Sequence, residues 1–271
     1  MITVVEWLDG STIAPFYDES VQAVDTSSPS LARAYDYLLG GRANFTADRA
    51  LAGRLRALYP ATSQVLSLSR AFLASSVTDL ARAGVDQFID VGCGLPTRPS
   101  VHESVLRARP DARVVYVDHD PSVVSHATAL LSQVPPAARV RYIAGDLAEP
   151  EALSWSLRPL VDLTRPACLS LALVVQALDP GLAQAVVGVL IRALAPGSHV
   201  VLTCGHGAAG RLPDAISAAG LAAQDVAAFL AGLDIQPPGV QQLPRLHPHP
   251  DAQQGASDQP GLVLCAVGRK P

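Results

Sequence analysis

After Gly84 the chain alternates short β-branched, apolar runs with Ala- and Leu-rich stretches of helical spacing, an alternation that points to a parallel sheet with crossover helices. Strands are predicted over 87–91, 113–117, 140–144, 167–175, 199–203 and 262–267. Helices are predicted over 100–109, 121–132, 181–195, 213–219 and 222–231, and residues 236–259, rich in Pro and His, read as a loop. Near-continuous apolar strands require cover on both faces of the sheet. Upstream, Ser30 caps a helix that Gly40-Gly41 stops, and 46–58 and 62–83 carry apolar residues at three- and four-residue intervals. The expected organisation is an arm over 1–28, a helical cap over 29–83 and, over 84–271, an α/β core. That core is a doubly wound, mostly parallel Rossmann-like sheet.

The acids at the strand ends carry the chemistry. Asp90-Val91-Gly92-Cys93-Gly94 closes the first strand of the core. Glycines there let a ligand lie against the backbone where a side chain would collide with it. Pro96 and Thr97 follow, so this is not the G-x-G-x-x-G turn that holds a pyrophosphate, and a ligand without phosphate suits it better. Asp118 ends the second strand, where a carboxylate grips a ribose diol. Asp120 stands before Pro121 as a helix cap, and His119 and His126 are read as surface or packing residues. Asp146 ends the third strand. There it could accept from the exocyclic amine of adenine while the Leu147 N–H donates to the ring; its alternative task is to cap the helix near Glu149. Acids at three successive strand ends describe a nucleoside site.

Composition removes several other chemistries. Of the 20 basic residues only Lys270 is a lysine, which leaves no plausible Schiff-base lysine for pyridoxal phosphate and none for a P-loop. A net charge of −4 offers no basic face to nucleic acid. The apolar runs are too short to cross a membrane and no signal peptide is evident, so a cytoplasmic location is expected. Cys93, Cys168, Cys204 and Cys265 are far apart, form no metal-ligand pattern, and are read as buried thiols; no metal is expected.

The chain resembles the class I S-adenosylmethionine-dependent methyltransferases, and among them a bacterial family formerly catalogued as a domain of unknown function. The resemblance runs from Ser30 to Pro271. It rests on Tyr35-Asp36-Tyr37-Leu38-Leu39-Gly40-Gly41 with Asn44-Phe45, Arg70-Ala71-Phe72-Leu73, Gly94-Leu95-Pro96-Thr97 and Val101-His102-Glu103. Val115-Tyr116-Val117-Asp118 with Asp120-Pro121, Leu194-Ala195-Pro196-Gly197-Ser198 and the closing Val267-Gly268-Arg269-Lys270-Pro271 complete it. It implies the class I methyltransferase fold with S-adenosylmethionine across the carboxyl ends of the strands. Gly92 and Gly94 would offer loop backbone, with Asp90 at their head; Asp118 would hold the ribose and Asp146 with Leu147 the adenine. Tyr35, Tyr37, Arg42 and Asn44 are candidates for the pocket wall, and Arg70 for a bidentate contact with the methionine carboxylate.

The family usually carries a His-Phe pair after the fourth strand, facing the reactive methyl, where this chain has Val175-Gln176-Ala177-Leu178-Asp179. Its customary Ser-His near the fifth strand is here Thr203-Cys204-Gly205-His206. The usual general base is thereby lost. Tyr37, Gln176 and His206 are the candidates for the reaction centre. The leading expectation is methyl transfer to a small molecule of specialised metabolism, with a homodimer allowed for. A first alternative is pyridoxal-independent cyclisation of S-adenosylmethionine to 1-aminocyclopropane-1-carboxylate or azetidine-2-carboxylate, releasing methylthioadenosine. A second is a non-catalytic binding module.

Overall fold

The computed structural model describes residues 24–58, 60, 62–131, 139–205, 223–243 and 263–271. Three helices come first: α1 (Leu31–Leu38), α2 (Thr46–Leu58) and α3 (Thr62–Arg82). The core then runs β1 (Gln87–Val91), α4 (Val101–Ala108), β2 (Arg113–Asp118), α5 (Pro121–Leu131), β3 (Arg139–Ala144), α6 (Pro150–Leu157) and β4 (Cys168–Ala172). It ends with α7 (Pro180–Ala193), β5 (His199–Gly205), α8 (Ala223–Phe229), β6 (Asp234–Ile235), β7 (Gln241–Leu243) and β8 (Val263–Arg269).

The strands form one sheet in the order β3-β2-β1-β4-β5-β8-β6, with β7 also on β8. The first five in that order are parallel, and β8 joins β5 antiparallel. Order reverses between β1 and β4. That switch point opens a crevice at the carboxyl ends of the strands.

Each face of the sheet is covered, as its apolar strands require. On one side Ile89, Val117, Leu169, Leu171 and Leu202 pack against α6, α7 and α8. On the other, Phe88, Val114, Cys168 and Val201 pack against α3 and α4. The helix α3 is about 30 Å long at the usual rise per residue. Its Leu66 belongs to a cluster with Ala34, Leu38, Leu51 and Leu55 of α1 and α2, while Phe72, Val77 and Ala81 sit on the sheet. It therefore carries the cap and covers the core at once.

Two differences from the sequence reading have local causes. The strand predicted over 167–175 stops at Ala172 because Leu173 turns to φ +57°, and Val175–Ala177 form a 3-10 turn. The predicted loop over 236–259 contains β7, whose partner β8 lies far along the chain. Helix α6, with Pro150 at its first position, gives bounds to the helix that the sequence reading places near Glu149 without a range. The predicted helix over 213–219 and His206 lie outside the described residues.

Lys270 has a structural task. Its Nζ donates to the carbonyls of Ile191 (3.0 Å), Arg192 (3.2 Å) and Leu194 (2.6 Å), closing the carboxyl end of α7 with a positive charge where the helix dipole is negative.

Candidate cofactor and acceptor site

A cavity of about 510 Å³ lies at the switch point, roofed by residues 24–33 and α1 and walled by α3. Its lining brings together Tyr35, Arg70, Asp90, Gly92, Gly94 and Asp118, six of the residues singled out from sequence. Its volume is within the range of small-molecule pockets.

Asp118 is 6% exposed and both its oxygens are placed: Oδ2 accepts the Gly94 N–H at 2.8 Å and Oδ1 accepts the Asp120 N–H at 3.0 Å. Burial raises its pKa against the pull of these donors. Gly92 and Gly94 both have positive φ, +66° and +63°, yet for different reasons. A Cβ on Gly92 would meet Val174 Cγ2 at 2.3 Å, so this glycine lets the loop after β4 close against the loop after β1. A Cβ on Gly94 would meet nothing within 4 Å, so this glycine leaves space open at the cavity wall. Behind the loop, Ser100 and Glu103 form a reciprocal cap on α4, and the Tyr116 hydroxyl accepts the His102 backbone N–H at 2.8 Å.

Asp90 is buried beneath the loop. Ser170 Oγ donates to it at 2.7 Å, but burial dominates and pushes its pKa up to about 6, with the positive charge of Arg70 pulling the other way. Arg70 is half-buried at the cavity wall, and its strongest charge partner is Asp90. A ligand carrying both charges would find a complement to each.

Tyr35 reaches the cavity with a phenol that burial keeps neutral, beside the Gln176 side chain. Gln176 is buried on the 3-10 turn, outside the cavity lining, where its Nε2 donates to the Leu173 carbonyl at 2.7 Å and its Oε1 has no hydrogen-bond partner among the described residues. Tyr37 does not line the cavity. Two residues along a helix is a rotation of about 200°, which turns Tyr37 into the cap cluster beneath Arg56, 5.9 Å from its ring. Arg42 and Asn44 are likewise absent from the lining. Asn44 Nδ2 instead donates to Asp36 at 3.0 Å, and Asp36 fills the space that a side chain on Gly41 would need.

Asp146 and Leu147 also lie outside the cavity lining. Asp146 is exposed and its Oδ1 accepts the Ala148 N–H at 2.8 Å, the local turn expected of a residue ahead of a helix. The Leu147 side chain is buried in the main core. The reason is topological, since β3 is the edge strand and its end stands apart from the switch point.

Sequence reasoning missed Leu173 and Ser69. Leu173 lines the cavity with a φ of +57°, a backbone conformation that L-residues adopt rarely. No sequence signal marks it. Ser69 lines the cavity next to Arg70 and shares a 2.8 Å hydrogen bond with Thr203 at the end of β5. Among the described residues no helix is long and apolar enough to cross a membrane, and no group of three His, Cys, Asp or Glu is placed to hold a metal ion.

The model of a family described as S-adenosyl methyltransferase matches residues 17–271. A crystal structure from Thermobifida fusca, assigned as a candidate methyltransferase, is 32% identical, covers 91% of this chain and 96% of its own, and superposes with a TM-score of 0.79. A DUF574 family protein from Streptomyces avermitilis is 31% identical, covers 92% of this chain and 100% of its own, and superposes with a TM-score of 0.82. Among curated proteins none matches. The sheet order, the glycine loop and these likenesses agree, and the chain belongs to the S-adenosyl methyltransferase family.

Proposed function

We propose that the cavity holds S-adenosylmethionine and that its methyl group passes to a small acceptor of specialised metabolism seated between α1 and the turn after β4. The observation that supports this best is the fixed Asp118 carboxylate, bonded to the Gly94 N–H at 2.8 Å and sharing one cavity with Arg70, Asp90 and Tyr35. The donor set fits the cofactor: a buried acid for the ribose hydroxyls, open backbone at Gly94, Arg70 for a carboxylate and Asp90 for an ammonium group.

The cofactor supplies a sulfonium methyl with a good leaving group already in place. The protein's share is alignment and exclusion of water. The turn after β4 presents Leu173, Val174 and Ala177 to the cavity, an apolar surface. Gln176 has no proton to take up and the Tyr35 phenol is held neutral, so neither is a general base at neutral pH. The acceptor then brings its own lone pair, as a neutral amine does.

Incubation of the purified protein with S-adenosylmethionine, alone and with a panel of small amines, phenols and thiols, tests the reading. S-adenosylhomocysteine that forms only when an acceptor is present supports it. Methylthioadenosine from the cofactor alone would replace it with the cyclisation, and binding without turnover on any acceptor would replace it with a non-catalytic module.

A further inference from the structure

Asp120 does more than cap α5. Its Oδ1 accepts from the Ser122 backbone N–H at 2.8 Å and from the Ser122 hydroxyl, which is the cap expected from sequence. Its Oδ2 accepts from the hydroxyl of Ser30, ninety residues away at the start of α1. Ser30 also caps α1, accepting the Arg33 N–H at 3.3 Å. The contact joins the roof of the cavity to the turn that holds Asp118.

Arg33 stands behind this contact and is 4% exposed. Its Nε donates to the fully buried Asp48 at 2.8 Å, and one terminal nitrogen donates to Ser122 Oγ at 3.1 Å. The other terminal nitrogen donates to the carbonyls of Asp25 (3.0 Å) and Ser28 (2.8 Å) in the roof segment. Asp48 also accepts the Ser30 N–H at 2.8 Å and the Phe45 N–H at 2.7 Å. A buried ion pair of this kind adds little net stability but fixes one arrangement, because either partner left alone would be an uncompensated buried charge.

We propose that Ser30 and Arg33 are positioning residues for the cofactor: Ser30 latches the roof onto Asp120 and Arg33 onto Ser122, and through the Asp120 N–H they fix the carboxylate of Asp118. The inference rests on the cofactor site proposed above. The roof segment lines the cavity, and the Ser30–Asp120 and Arg33–Ser122 contacts hold it against the turn that carries Asp118. Their strength then sets how long the nucleoside stays.

The test measures the dissociation rate and affinity of S-adenosylhomocysteine for the wild-type chain, Ser30→Ala, Ser30→Gly, Ser30→Thr and Asp118→Ala. Ser30→Gly removes the hydroxyl while keeping most of the helix-capping preference, so it separates the latch from the cap. Loss of one hydrogen bond to a charged group predicts dissociation about tenfold faster in both Ser30→Ala and Ser30→Gly, recovered in Ser30→Thr. The KM for S-adenosylmethionine should rise by more than kcat changes. Unchanged dissociation in Ser30→Gly, with binding lost in Asp118→Ala, overturns the latch and leaves the cofactor site standing. Unchanged binding in Asp118→Ala overturns the cofactor site itself.

Discussion

Two glycines in one loop differ in what they allow. At Gly92 a methyl group would strike Val174 and the φ of +66° would be strained, so Gly92→Ala should destabilise the fold by about 2 kcal/mol or more, measured by denaturant unfolding. At Gly94 only the φ of +63° resists, and Gly94→Ala should cost about 1–2 kcal/mol of stability. Its larger effect should be on S-adenosylmethionine affinity, because the added methyl occupies cavity wall. Comparable affinity in wild type and Gly94→Ala would show that the ligand does not lie against this backbone. Asp90 gives a pH signature. With its pKa raised to about 6, the folded chain holds this proton more tightly than the unfolded chain does, so the group's contribution to stability falls as pH rises from about 4 to about 6. Binding of a cationic ligand should run the other way, strengthening as pH rises through about 6 and the carboxylate ionises. Asp90→Asn should flatten both profiles, and a binding curve that keeps its slope in that variant would assign the titration to another group.

At the scale of elements, the glycine loop and the acid ending β2 were legible in the sequence because each combines a residue type with a position that a strand end imposes. Which side of a helix faces the ligand was not legible. Tyr35 and Tyr37 belong to the same sequence block, and only the rotation between them sends one to the cavity and the other under Arg56. Nor was the difference between Asp118 and Asp146, whose sequence settings are alike, since it depends on which strand lies at the edge. β6 and β7, two and three residues long, are too short to leave a period. The carboxyl end of α7 offers an element-scale prediction. Lys270→Ala removes three hydrogen bonds to its last carbonyls and should lower stability by about 1–2 kcal/mol without altering cofactor affinity. An unchanged melting temperature would show that water replaces the ammonium at no cost.

For the whole molecule, a sheet that reverses its order between β1 and β4 makes the crevice, and a long α3 spanning cap and core fixes the height of the roof above it. The turn after β4, with Leu173 at φ +57° and the 3-10 residues Val175–Ala177, stands on the proposed acceptor side. In the proposed site the nucleoside side depends on one carboxylate, Asp118. Titration of S-adenosylmethionine into the wild-type chain and into Asp118→Ala, followed by calorimetry, tests that claim most directly. Loss of a buried acceptor for two ribose hydroxyls predicts affinity lower by about a hundredfold, roughly 3 kcal/mol. Equal affinity in the two proteins would contradict it.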